Sequence, residues 1–542
     1  RCDRVDSGHL AEHISDMGSS IVAITRDKFF LRHLCKFLVY VLLLFSLSFT
    51  LLSPGWSAFS ADCQMIVADR PLRRKKIVQI YEEISENPTL YYKKPALWYN
   101  LSNIIRQGVR LFGIYSLLLS PIKYFSNVIN YKLHTLANGL RVAANRDRNS
   151  KLAAINLLYC VGARNEDPDH TGFAHLFEHL MFRGTRRIPD FDTPVQMACG
   201  ENNAFTNNDY TDFYITLPTA NVETALWLES DRMTGLRLSR RKFESEKRVV
   251  IEEYNQRYLN QPYGDQMMLM RALRYRVHPY RWATIGLTPD HIAAATIDEA
   301  ERFYRRYYRP SNAILSFSGD MEEERFFELA EKWFGAIADE PFVADTLPVE
   351  PEQTEARRLE VERDVPATAI AIIFPMGDRQ SRDFYLLDLV SDLLAGGESA
   401  RLYDALVRHR RLFGSVNAYI SGDVDAGMFV LTGQVAAGVD VATAEAALWN
   451  ELHRLQNERV EEYELEKVRN KFEAGVLFGE LNVMNKAMNL GYYSMLGTPE
   501  LINGEVAIYR SITAEEIAEG CRRIFTPERS STLIYRAANE TK

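Results

Sequence analysis

Two histidines four residues apart, set in an otherwise apolar stretch, constrain this chain more than any other feature. Residues 172–185 read Gly-Phe-Ala-His-Leu-Phe-Glu-His-Leu-Met-Phe-Arg-Gly-Thr, and their periodicity predicts a helix over 171–184. His175 and His179 then project from one face, with Glu178 beside them. Burying two imidazoles and a carboxylate without partners is costly, and a metal ion removes that cost. The spacing lets both nitrogens reach a single zinc at about 2.0–2.1 Å, while Glu178 reaches a metal-bound water without being a ligand. The plainer alternative, a histidine pair that caps or packs, needs a chance His-x-x-Glu-His in a chain with 11 histidines. A catalytic zinc also needs a third protein ligand and an open position. A predicted helix over 240–258 offers Glu244, Glu246, Glu252 and Glu253. Glu246 and Glu253 are two turns apart and share a face, but spacing does not choose among the four.

The 542 residues call for several domains. With 29 glycines and 20 prolines the chain is not low-complexity. Lys and Arg number 64 against 72 Asp and Glu, a net charge of −8. No basic excess exists to grip a phosphate backbone, so nucleic acid is not an expected partner. Six scattered cysteines without a Cys-x-x-Cys pair make neither a disulfide framework nor a thiolate zinc cluster.

Residues 1–130 read as an amino-terminal extension. Phe37 opens a charge-free segment that runs through residue 61, preceded by Arg26, Lys28, Arg32 and Lys36 and closed by small residues. This 37–61 segment has the pattern of a signal peptide or anchor, though its strictly apolar part is short of the roughly 20 residues that span a bilayer. A start at Met17 keeps the segment and implies export or anchoring. A start at or after Met65 deletes it and favours the cytoplasm, as does the odd set Cys160, Cys199 and Cys521 in the later region. A membrane is an expected partner only if the segment is retained. The basic cluster Arg73-Arg74-Lys75-Lys76 reads as a solvated turn, and the apolar run 111–122 is too short to span.

From Tyr131 the pattern becomes regular. A hairpin is predicted over 131–144 around Asn138-Gly139, then strands at 151–162, 213–217 and 313–318, with helices at 220–237, 240–258 and 322–334. A polar stretch, 339–358, contains Pro341, Pro348 and Pro351 and supplies the linker, taken as 341–358. A similar succession follows: strand 367–374, helix 384–395, Gly396-Gly397, a second helix, strands 415–420 and 427–434, helices 442–456 and 461–478. Two α+β domains, 131–340 and 359–542, are expected, related by element order without a residue-level repeat.

These residues carry a resemblance. The inverted motif followed by an acidic helix ending at Glu253 resembles the pitrilysin/insulysin family, the inverzincin group that includes the mitochondrial processing peptidases. Asn138–Val142, 161–166, the segment Gly200-Glu201-Asn202-Asn203-Ala204-Phe205-Thr206, and Arg401-Leu402-Tyr403 after Gly396-Gly397 resemble further family segments. Residues 1–130 have no counterpart in it. The resemblance implies two related domains, each a mixed or antiparallel sheet with helices on one face. It implies His175, His179 and Glu253 as ligands of Zn2+, Glu178 as the general base, and Glu246 as a carboxylate orienting a ligand or its helix. Asn203 and Ala204 match a strand that pairs with an extended peptide substrate. The implied function is a zinc-dependent metalloendopeptidase acting through a zinc-activated water. A non-catalytic interaction subunit of the same fold and a membrane-anchored peptide-binding protein are the alternatives. Cys199 departs from the family's usual second glycine, which puts the turn before the Asn203 strand in question.

One position points to a partner. Family members that act alone usually carry an arginine and, seven residues on, a tyrosine that hold the substrate carbonyl and its oxyanion. Arg408 matches the arginine, but Ser415 stands where the tyrosine belongs. Tyr419 shares a strand face with Ser415 yet lies about 13 Å further along. A sister subunit supplying the arginine–tyrosine pair is therefore expected, with a homodimer as the fallback.

Overall fold

The computed structural model describes residues 128–538, apart from Arg237 and Glu340. The 37–61 segment, the Arg73–Lys76 cluster and the 111–122 run lie outside the described residues. Among those described, no helix is long and apolar enough to cross a membrane.

The first sheet holds β1 (Lys132–Thr135), β2 (Arg141–Arg146), β3 (Leu152–Tyr159), β4 (Glu201–Thr206), β5 (Thr211–Pro218) and β6 (Ala313–Gly319), ordered β1-β2-β6-β3-β5-β4. The expected hairpin is β1–β2, turned at Gly139 with φ +87°, where a Cβ would sit 3.1 Å from the Cβ of Ser311. Between β3 and β4 runs α1 (Phe173–Met181), and between β5 and β6 come α2 (Arg240–Tyr254) and α3 (Gln266–Arg274). The second sheet holds β7 (Arg357–Arg363), β8 (Ala369–Pro375), β9 (Phe413–Ile420), β10 (Met428–Val435) and β11 (Ser531–Ala537), ordered β7-β11-β8-β10-β9. β7 begins inside the stretch expected to be linker. It is an exposed strand with little apolar patterning, held by its parallel pairing to β11.

Without β1 the two sheets have one topology. In each, a single parallel pair (β2 with β6, β7 with β11) is followed by three antiparallel neighbours. Helix α4 (Arg382–Ala395) stands between β8 and β9 as α1 stands between β3 and β4, and it contains no histidine. The similar succession of elements in the sequence is thus a structural repeat whose second copy lacks the metal motif.

Each sheet buries one apolar face under its own helices. Leu157, Phe213, Leu315 and Phe317 serve the first core; Ile372, Phe374, Phe429 and Leu431 serve the second. Each such side chain contributes about 1.5–3 kcal/mol when fully buried. The opposite faces are covered reciprocally, which the sequence did not suggest. Helix α5 (Val483–Met495), from the second half, lies on β2, β3 and β6, while α3 of the first half lies on β7, β8 and β11. Gly491 allows the close approach, since a Cβ there would meet Asn156 Nδ2 at 2.9 Å and Ser316 Oγ at 3.0 Å. The connection between β9 and β10 also reaches the first half. Arg164 there lies 3.1 Å from Asp209 and 3.0 Å from Asp425 of the connection.

One helix differs from expectation. The helix predicted over 240–258 stops as an α-helix at Tyr254 and continues as a π-turn over Asn255–Leu259. Such widened turns are frequent at functional sites, and this one begins two residues after Glu253.

Candidate metal centre

Helix α1 is held at its start by a buried carboxylate. Gly172, the residue before it, has φ +93°, and a Cβ there would lie 2.6 Å from the Ile285 carbonyl oxygen. Glu166 Oε2 accepts the Gly172 N–H and Oε1 the Ala174 N–H, both at 2.8 Å. Burial pushes the Glu166 pKa up to about 8 against these two donors. A helix start must satisfy its free N–H groups, and this one does so through a side chain six and eight residues upstream of the two donors. Replacing Glu166 with alanine is expected to cost about 2 kcal/mol in urea unfolding and to weaken zinc retention in a chelator competition. An unchanged midpoint would show that water caps the helix equally well.

His175, His179 and Glu253 come together: one ligand atom from each lies within 4.8 Å of the other two. His179 Nε2 is 3.3 Å and His175 Nε2 3.8 Å from Glu253 Oε2. Ligands on a tetrahedral zinc lie about 3.3–3.5 Å apart, so the cluster fits that ion with only small movement. Its protonation also fits. Burial lowers the His175 pKa to about 4, leaving a neutral imidazole, and a hydrogen bond with His179 holds Glu253 below the ordinary carboxylate value. Metal ligands must be deprotonated in this way. Of the four candidate glutamates, Glu244 pairs with Lys247 at 3.5 Å and Glu252 accepts from Gln256 at 3.2 Å. Glu246 is buried, with Oε2 3.8 Å from His179 Nδ1 and Oε1 2.7 Å from Arg183 Nε. It faces the back of the His179 ring, as expected of an orienting group.

Glu178 points beside the cluster, and its Oε2 accepts from Thr206 Oγ1 at 2.7 Å. Burial raises its pKa above the ordinary carboxylate range, with the Thr206 bond opposing. Thr206 ends β4, the outermost strand of the first sheet. Asn203 and Ala204 sit on that edge strand, opposite Tyr214 and Phe213 of β5. Asn203 is exposed, and its Oδ1 accepts the Ala204 N–H at 2.9 Å. Cys199, exposed, takes φ +55°, a left-handed conformation that glycine adopts freely. The turn nevertheless closes, with the Cys199 N–H on Gln196 O and the Gly200 N–H on Val195 O, both at 2.9 Å.

Arg408 is not brought to this cluster. It lies in a π-helical segment, Tyr403–His409, half-exposed, with Asp404 at 3.1 Å and Glu398 at 3.4 Å. Ser415 on β9 contacts Gln434 Oε1 at 3.3 Å, and Tyr419 packs into the cluster beneath α3. Sequence reasoning missed Thr206, Glu166 and Arg257, whose Nη2 is 2.9 Å from Glu253 Oε1. Glu166 and Thr206 end segments already noted for their resemblance, but only the contacts reveal the role of each of the three.

Comparison with known proteins agrees with this geometry. Residues 141–279 match the family described as insulinase (peptidase family M16), and residues 294–472 match the peptidase M16 inactive domain. All three converging residues fall in the first match. The chain is 30% identical over 370 residues to the zinc protease PqqE of Helicobacter pylori, covering 66% of this chain and 83% of that protein. It is 23% identical over 251 residues to a probable mitochondrial-processing peptidase subunit beta of Arabidopsis thaliana, covering 45% and 46%. A crystal structure of a protease from Helicobacter pylori superposes with a TM-score of 0.71 at 26% identity, covering 76% of this chain and all of that one.

Proposed function

The chain belongs to the insulinase family of peptidases, family M16, with zinc as its cofactor, and from that premise we propose that it is a metalloendopeptidase cutting extended peptides at the His175–His179–Glu253 centre. The observation that carries this reading is the convergence of those three ligand atoms within 4.8 Å, with Glu178 held beside them. Zinc bound there supplies a Lewis acid that polarises the scissile carbonyl and makes water more acidic. Glu178 takes the proton of the attacking water and returns it to the leaving amine. Thr206 fixes the carboxylate for both transfers through its hydrogen bond to Oε2. Glu246, tied to Arg183, keeps the His179 ring facing the ligand position. The free edge of β4 receives the peptide backbone as an added strand.

A sister subunit completes the centre in this proposal. Ser415 is too short for the oxyanion role, Arg408 is engaged by Asp404 and Glu398, and the Arabidopsis relative is itself named as a subunit. Metal analysis of the purified chain is expected to give about one zinc per chain. Cleavage of an unstructured peptide is expected to be slow for the chain alone and to rise about 100- to 1,000-fold with the sister chain, the usual worth of one oxyanion donor. Absence of stoichiometric zinc, with candidate partners present, sinks the peptidase reading. Full turnover by the isolated chain, unaffected by a partner, sinks the sister subunit and leaves the homodimer.

A further inference from the structure

A buried carboxylate that the hydrolytic centre does not use lines a cavity just beyond β4. Asp212 on β5 is 1% exposed, and its Oδ1 has no hydrogen-bond partner among the described residues. It borders a cavity of about 190 Å3 between the β4–β5 turn and α5, walled by Asn207, Tyr210, Met488, Asn489 and Tyr492. The Tyr210 and Tyr492 rings stand 5.7 Å apart. Asn489 is exposed and marks the mouth.

Among the described residues no cation pairs with Asp212. Burial drives its pKa well above the ordinary value, with the Asn156 amide opposing that shift and the Glu229 charge adding to it. The nearby cations have carboxylate partners of their own: Arg379, which also lies 5.8 Å from the Tyr492 ring centroid, pairs with Glu505, and Lys486 with Asp147 at 2.7 Å. A buried carboxyl with one unsatisfied oxygen beside a void is drawn into its ionised form when a cation enters to pair with it. Two aromatic faces and a carboxylate together suit an ammonium or a guanidinium.

We infer that this cavity is a subsite for a basic group of the bound peptide, a lysine or arginine side chain or the free amino terminus, with Asp212 as its counter-charge and Tyr210 and Tyr492 as its walls. Identifying the ligand as a peptide rests on the peptidase reading above. Position supports the assignment. Asp212 pairs across the sheet with Phe205 of β4 on the α5 face, opposite the α1 face on which Thr206 holds Glu178, so alternate side chains of an added strand turn toward it. A peptide added outside β4 lies two strand spacings, about 10 Å, from β5. Only a long side chain or a chain end spans that distance.

The test is equilibrium binding, read by fluorescence anisotropy with the full Glu178→Gln chain so that no turnover is needed. The probes are disordered peptides carrying one arginine moved position by position, the same peptides with neutral citrulline, and both sets with free or acetylated amino termini. At one position, or for the free terminus, the basic form is expected to bind at least about tenfold more tightly, the scale of a charged hydrogen bond. Adding Asp212→Asn should bring that ratio to near one while citrulline peptides bind as before. Asn489→Asp, at the mouth, should enlarge the ratio several-fold and serves if Asp212→Asn fails to fold. A ratio near one in the parent, or one that neither substitution moves, overturns the subsite and leaves the cavity to water. The peptidase reading fails separately, by absence of zinc or of cleavage in the wild-type chain, and the binding ratio stays readable in that case.

Discussion

Replacing Glu178 with glutamine is expected to lower kcat for peptide hydrolysis by about 100- to 10,000-fold while leaving the zinc content unchanged. The magnitude is that of a positioned general base. Glutamine keeps the side-chain length and an oxygen that still accepts from Thr206 Oγ1, so the local packing survives. What it loses is the ability to take a proton from water. Zinc is retained because Glu178 is not among the three converging ligand residues. Glu253→Gln gives the opposite pattern: zinc is lost first, and activity with it. Metal analysis and steady-state kinetics on the same preparations separate the two. A Glu178→Gln chain that turns over at the wild-type rate would remove the residue from the chemistry.

Arg164→Met is expected to destabilise the chain by about 3 kcal/mol at pH 7, the largest effect on stability predicted for a single residue away from the metal centre. Arg164 Nη1 lies 3.1 Å from the buried Asp209 and 3.0 Å from the half-exposed Asp425. Asp209 also accepts from the Tyr280 hydroxyl and, at 2.9 Å, from the Val424 N–H. Removing the cation leaves Asp209 buried without its charge partner, which typically costs 3–5 kcal/mol. The low end applies because Asp425 turns partly to water. The deficit should shrink in mild acid. Burial raises the Asp209 pKa to about 6, with Arg164 the first force opposing it. A carboxyl raised above its unfolded value favours the fold below that unfolded value, and the benefit is lost as pH rises through the folded one. At pH 5 Asp209 is mostly protonated, so Arg164 has less charge to neutralise there. Urea unfolding at pH 7 and pH 5 checks both parts. Equal loss at the two values would place the effect in packing alone.

Much of the site was legible because it is local. A helix of 3.6 residues per turn places His175, Glu178 and His179 on one face whatever else the chain does, and the apolar residues between them made a metal the economical explanation. The strands were legible for the same reason: alternation over 151–162 and the Asn138-Gly139 turn need no partner to be recognised. The third member of the cluster was not legible from spacing. Four glutamates lie on one helix, and the rotation of α2 against α1 decides which faces the histidines. That rotation is a packing outcome, and it turns Glu253 to the cluster while burying Glu246 against Arg183.

The sequence alone determined the metal motif and the order of elements, since each depends on residues close along the chain. Tertiary structure alone decided the exchange of α3 and α5 between sheets. It alone seated Thr206 on Glu178 and opened the cavity beside Asp212. These depend on contacts between residues far apart in the chain. No periodicity encodes which polar residue of one strand will meet a helix from the other half, because the partner's position exists only once both sheets have folded.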